Sequence, residues 1–67
     1  MNLNIPNLEK RRRELGINQS RMAEKIGISR FHYSLLISGK RNLTVNLVEK
    51  LYFNAQMSLK EIFDLKD

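Results

Sequence analysis

The 67-residue sequence has no cysteine, one histidine, one proline and three glycines, and each shortage closes off a class of protein. Without cysteine there are no disulfide staples and no thiolate metal sites, and His32 alone cannot hold a structural metal. Packing must hold the fold, as suits a cytoplasmic protein. No apolar run approaches the roughly 20 residues that cross a bilayer. The N-terminus also lacks the basic-then-apolar layout of a signal peptide, so no membrane partner is expected. Sustained alternation of β-branched and polar residues is missing too, which argues against strands. No linker of low complexity and no internal repeat interrupts the chain, so 1–67 reads as a single domain with one modest core. Finally, there is no nucleophile–base pair, no metal-ligand cluster and no phosphate-cradling glycine loop. Neither catalysis nor a cofactor or metal is expected.

What the chain does have is positive charge. Twelve Lys and Arg against seven Asp and Glu leave a formal charge of +5, with an isoelectric point near 10.0. An acidic partner is implied, and nucleic acid is the commonest, because each phosphate neutralised by Lys or Arg releases condensed counterions. Glu9, Glu14, Glu24, Glu49 and Glu61 are dispersed along the chain, which distinguishes it from a disordered polycationic tail.

Apolar residues recur at helical spacing throughout, and the spacing predicts five short helices. Pro6 suits the first turn of a helix with Ile5, Leu8 and Leu15 inward, ended by Gly16. Asn18 caps a second through Met22, Ala23 and Ile26, and Gly27 supplies the positive φ for a sharp turn. Ser29 caps a third to about Ser38, with Tyr33 and Leu36 inward and Gly39 closing its end. Thr44 caps a fourth, from Val45 to Phe53, burying Val48, Leu51 and Tyr52. Ser58 with Glu61 three residues on forms a capping box for the last, whose apolar face is Leu59, Ile62 and Phe63, extended by Leu65.

The stretch Asn18 to Lys40, NQSRMAEKIGISRFHYSLLISGK, meets the geometric needs of a helix-turn-helix over about residues 19–38. Two short helices flank a glycine turn, and the small Ala23 lies where they must approach closely. Gly16, Ile17, Asn18, Gln19, Ala23, Gly27, Ile28 and Ser29 fall at the spacing of one known pattern, which continues through Leu36, Gly39, Lys40, Arg41 and Asn42. On these residues the chain resembles the phage repressor, Cro and Xre family of lambda repressor-like domains. The resemblance implies a compact all-α domain of five helices with the helix-turn-helix at helices 2 and 3. Its expected activity is sequence-specific binding of double-stranded DNA, as a repressor-like regulator of transcription. Five positions depart from the pattern. Tyr33 replaces Ile or Val, and Ile37 replaces a Glu that pairs with an Arg matching Arg12. That leaves the Arg12 charge freer for DNA. Tyr52 for Ala and Ala55 for Leu read as an exchange of volume within one core. Gln56 stands where Gly is usual, at a cost if φ is positive there.

In such proteins the third helix enters the major groove while the second lies across the backbone. Arg30 is the best candidate base reader, because a guanidinium bonds guanine N7 and O6 side by side; otherwise it is a phosphate contact or a solvated charge. Phe31, Ser34 and Leu35 share its outward face. Phe31 either meets a thymine methyl or packs under a neighbouring loop. The resemblance implies phosphate contacts from Gln19, Arg12, Lys40, Arg41 and Asn42, the last three forming a solvated loop otherwise. Asn18 is a cap first and a DNA contact second. Ser20 is within reach of phosphate, and Arg21 is either a contact or a solvated charge. One domain reads few base pairs, so a homodimer on a pseudo-palindrome is expected, with half-sites about 34 Å apart. Met57, Leu59, Phe63 and Leu65 either join the core or make the dimer contact. No sensory domain is evident, so no small-molecule effector is expected. Protein recognition, by an antitoxin or an antagonist of a related repressor, is the alternative use of the same fold.

Overall fold

The computed structural model describes residues 2–64. Five helices run α1 Ile5–Glu14, α2 Gln19–Ile26, α3 Arg30–Ile37, α4 Val45–Asn54 and α5 Leu59–Ile62. No strand occurs among the described residues, only an isolated antiparallel bridge between Leu3 and Phe63. Each helix starts at a polar cap whose side chain accepts an otherwise unpaired backbone N–H. Asn18, Ser29, Thr44 and the Ser58–Glu61 box do this at α2 to α5, as their positions predict. At α1 the cap is Asn4, accepting from Asn7, with Pro6 in the first turn. Gly27, at φ 97°, ends α2 and turns the chain into α3.

All five helices contribute to one core: Leu8 from α1, Met22, Ala23 and Ile26 from α2, Tyr33 and Leu36 from α3, Leu47 and Leu51 from α4, and Ile62 from α5. Leu3, Ala55 and Met57 fill it from the connecting segments. Ala23 is 1% exposed, and no larger side chain lies on that part of α2 to hold α3 away. The C-terminal carbonyls of α2 lack helical partners, and α4 supplies them. Asn54 Nδ2 donates to the Ile26 carbonyl at 2.8 Å and Lys50 Nζ to that of Gly27 at 3.3 Å. These bonds set the helix-turn-helix on α4. The two ends of the chain meet through the Asn4 N–H donating to the Ile62 carbonyl at 2.8 Å, and through Asn7 Nδ2 on that of Glu61 at 3.1 Å.

Several inward assignments are corrected. Leu15 is 41% exposed, since it follows the last turn of α1 and leaves the stripe begun by Leu8. On α4 the buried pair is Leu47 and Leu51, one turn apart, whereas Val48 is only half-buried. Tyr52 stands outside at 49% exposed while Ala55 is buried, so the two do not exchange volume within one core. Leu59 is 52% exposed, because the four-residue α5 turns only Ile62 fully inward. Met57 is buried at 1% and belongs to the core, which removes it from any dimer contact. Phe63 is half-buried beside Leu3, and Leu65 lies outside the described residues.

Candidate nucleic-acid interface

The N-terminal ends of α2 and α3 open on the same side of the molecule, beside the last turns of α1. A shallow open hollow there is lined by Arg12, Asn18, Gln19, Ser20 and Arg30. Residues from three elements thus converge where two helix N-termini present backbone N–H groups and positive dipole ends, an arrangement that favours anions. Asn18 is committed to capping, its Oδ1 accepting the Arg21 N–H at 2.9 Å. Arg30 is exposed and has no ion pair among the described residues.

On the outward side of α3, Phe31 is 71% exposed, which excludes packing under a loop. Ser34 is exposed and Leu35 half-buried. Past the far end of α3, Arg41 and Asn42 line a different hollow with Asn2, Leu3, Ile5, Leu36, Gly39 and Leu43. Lys40 is exposed close by. The residues expected at DNA therefore form two groups, one at each end of α3, with Phe31, Ser34 and Leu35 between. Arg11 faces away from them, toward α5, pairing with Glu14 at 3.5 Å and Glu61 at 3.4 Å. Arg21 pairs with Glu24 on the exposed side of α2.

Arg12 is not free, contrary to what the loss of a glutamate at Ile37 suggests. Its Nε and Nη2 donate to the two carboxylate oxygens of Glu9, each at 3.2 Å, and Nη1 donates to the Ile17 carbonyl at 2.8 Å. Gln19 Nε2 donates to the same carboxylate at 3.2 Å, and so does the Tyr33 hydroxyl. The carboxylate that pairs with Arg12 thus comes from α1, Tyr33 of α3 reaches across to it, and Ile37 packs against the core. Burial acts to raise the Glu9 pKa, but the bonds from Tyr33, Arg12 and Gln19 outweigh it and hold the group below its ordinary value. Burial and the neighbouring carboxylate push the Tyr33 phenol upward, so it stays protonated and donating.

Sequence reasoning missed Glu9. Its signal was the paired departure at Tyr33 and Ile37, a new hydroxyl and a lost acid on adjacent turns of one helix. A second signal is the acid distribution: no Asp or Glu occurs from Lys25 to Val48, while Lys25, Arg30, Lys40 and Arg41 all do. The segment carrying α3 is thus purely cationic. Among the described residues no cluster of acidic, histidine or cysteine side chains could hold a metal, and no helix is long and apolar enough to cross a membrane.

Consecutive capped helices joined by a glycine turn, with a cationic second helix and anion-friendly N-termini, define the class of DNA-binding helix-turn-helix domains. A helix-turn-helix family model matches residues 8–51, well over half of the chain. The chain belongs to this family in its Cro type, a family of DNA-binding regulatory domains. No curated protein and no solved structure matches the chain.

Proposed function

We propose that the chain is a sequence-specific repressor of transcription in the cytoplasm, binding a pseudo-palindromic operator in double-stranded DNA as a homodimer. The observation that carries this reading is the hollow where Arg12, Asn18, Gln19, Ser20 and Arg30 converge. A phosphate seated there leaves α3 free to enter the adjoining major groove. Arg30 reads a base, with Phe31, Ser34 and Leu35 against neighbouring base edges. Lys40, Arg41 and Asn42 hold the backbone on the far side of the groove. A helix of eight residues reads few base pairs, which favours a paired half-site. For the second copy the apolar face of α4 and α5 is available: Tyr52, Phe53 and Leu59 are exposed around a hollow they share with Val48 and Glu49. Leu59 and Phe63 remain from the contact expected on sequence. Without an effector, occupancy follows protein concentration.

Selection of the purified protein against randomised duplexes tests the reading. Enrichment of an inverted repeat is expected. Arg30→Ala should blur it at one base position, costing about 1–3 kcal/mol there, while Gln19→Ala weakens all sequences alike. Binding without enrichment removes the sequence-specific reading. No binding at all favours a protein partner, for which the exposed Phe31 is the available anchor.

A further inference from the structure

Glu9 lies on α1, outside the helix-turn-helix, yet four hydrogen-bond donors from three helices end on its carboxylate. They divide evenly. Arg12 Nη2 and Gln19 Nε2 share Oε1, while Arg12 Nε and the Tyr33 hydroxyl share Oε2. An ionised carboxylate offers about four acceptor sites, so this one is saturated, and no amide or hydroxyl in its place could accept all four. Two of the residues it holds, Arg12 and Gln19, line the hollow at the ends of α2 and α3, whereas Glu9 does not. The carboxylate grips them from behind, its side chain 18% exposed. Each keeps at least one side-chain N–H that Glu9 does not use.

We infer that Glu9 is a positioning residue for DNA binding: its carboxylate fixes Arg12 and Gln19 in the orientation in which they meet the DNA backbone, and ties α3 to the same point through Tyr33. The inference rests on the DNA-binding reading above. Its physical basis is entropic. Arg and Gln are rotamer-rich, and ordering them on binding weakens association unless the free protein has already ordered them. Plain electrostatics predicts the opposite sign. An acid close to the backbone repels phosphate, so its removal should strengthen binding and steepen the salt dependence. The two accounts therefore differ in direction as well as in size.

Glu9→Gln separates them, because it is isosteric, adds one unit of positive charge, and its amide oxygen accepts at most two of the four donors. Affinity is measured over a salt series for wild type, Glu9→Gln, Gln19→Ala and the double variant, on the selected duplex and on a random one. Positioning predicts that Glu9→Gln weakens both duplexes about three- to tenfold in spite of the added charge. It also makes the logarithmic salt slope shallower by about one, the share of a single phosphate contact. In the Gln19→Ala background the effect of Glu9→Gln should shrink, since part of it acts through that amide. Partial unfolding lowers the active fraction without changing the slope. Equal or tighter binding, or a steeper slope, overturns the inference. A wild-type protein that binds neither duplex removes the DNA reading itself.

The wild-type protein supplies a second test that does not depend on the variant folding. The Arg12 Nε–H resonance should remain slowly exchanging, free and DNA-bound, as expected for a guanidinium kept on Glu9. Its loss on adding duplex means that the pair must break to bind, and overturns the inference equally.

Discussion

At the scale of single residues, the strained position is Gln56. It is the one non-glycine residue with positive φ among those described, at 55°, in the turn from α4 to the segment before α5. A Cβ in the left-handed region crowds the following carbonyl, which glycine avoids. The residue nonetheless contributes to the fold through its backbone, whose carbonyl accepts Arg11 Nη2 at 3.3 Å. That bond needs no particular side chain. Gln56→Gly should therefore stabilise the protein by about 0.5–1 kcal/mol, the relief of strain less the greater freedom glycine gives the unfolded chain. Urea unfolding with an unchanged m-value checks it. A loss of stability instead means that the Gln side chain makes up for its backbone.

At the scale of elements, the seam between α2 and α3 governs how the recognition surface is presented. Ala23 is buried on α2, and the α2 C-terminus is held from outside by Asn54 and Lys50. Ala23→Leu inserts three extra carbons where there is no space. Overpacking of this kind costs about 1–3 kcal/mol through displaced side chains and backbone. Thermal unfolding followed by far-UV circular dichroism should show a lowered melting temperature. An unchanged one means that α3 can shift outward freely, and with it its whole outward face.

At the scale of the whole molecule, two carboxylates join helices distant in sequence. Glu9 links α1 to α2 and α3, and Glu61 links α5 to Arg11 of α1. For Glu61 the Ser58 backbone N–H is the main influence lowering the pKa, and burial works against it. Both groups are held below their ordinary value of 4.5 in the folded protein. Between the folded and the ordinary values the unfolded chain carries more protons than the native one. Their contribution to stability is thus complete above about pH 4.5 and lost as pH falls through the lowered values. Melting temperature measured against pH should fall in that acid range, and Glu9→Gln should flatten the fall. An unchanged slope in that variant means that Glu61 alone carries it. Assembly belongs to this scale too. Phe53 is 71% exposed, in edge-to-face contact with Tyr52 at 5.1 Å. In the homodimer proposed above, Phe53→Glu should convert dimer to monomer in sedimentation with little change in helicity, because the residue supports no core. If that variant remains dimeric, the contact lies elsewhere.

The helices and the order of the motif were legible in the chain because caps, glycine turns and the 3.6-residue period are local. Asn18, Ser29, Thr44 and Ser58 each act on an N–H within three residues, and Gly27 needs only its own φ. The basic balance was legible from composition alone. What the chain did not reveal are several outcomes that depend on who faces whom. Leu47, not Val48, is the fully buried member of that neighbouring pair, and Met57 fills a core that Tyr52 leaves. Glu9 reads along the chain as one acid beside a run of bases. Only the packing of α1 against α2 and α3 gives it Arg12, Gln19 and Tyr33 as partners, since a carboxylate responds to the donors around it in space.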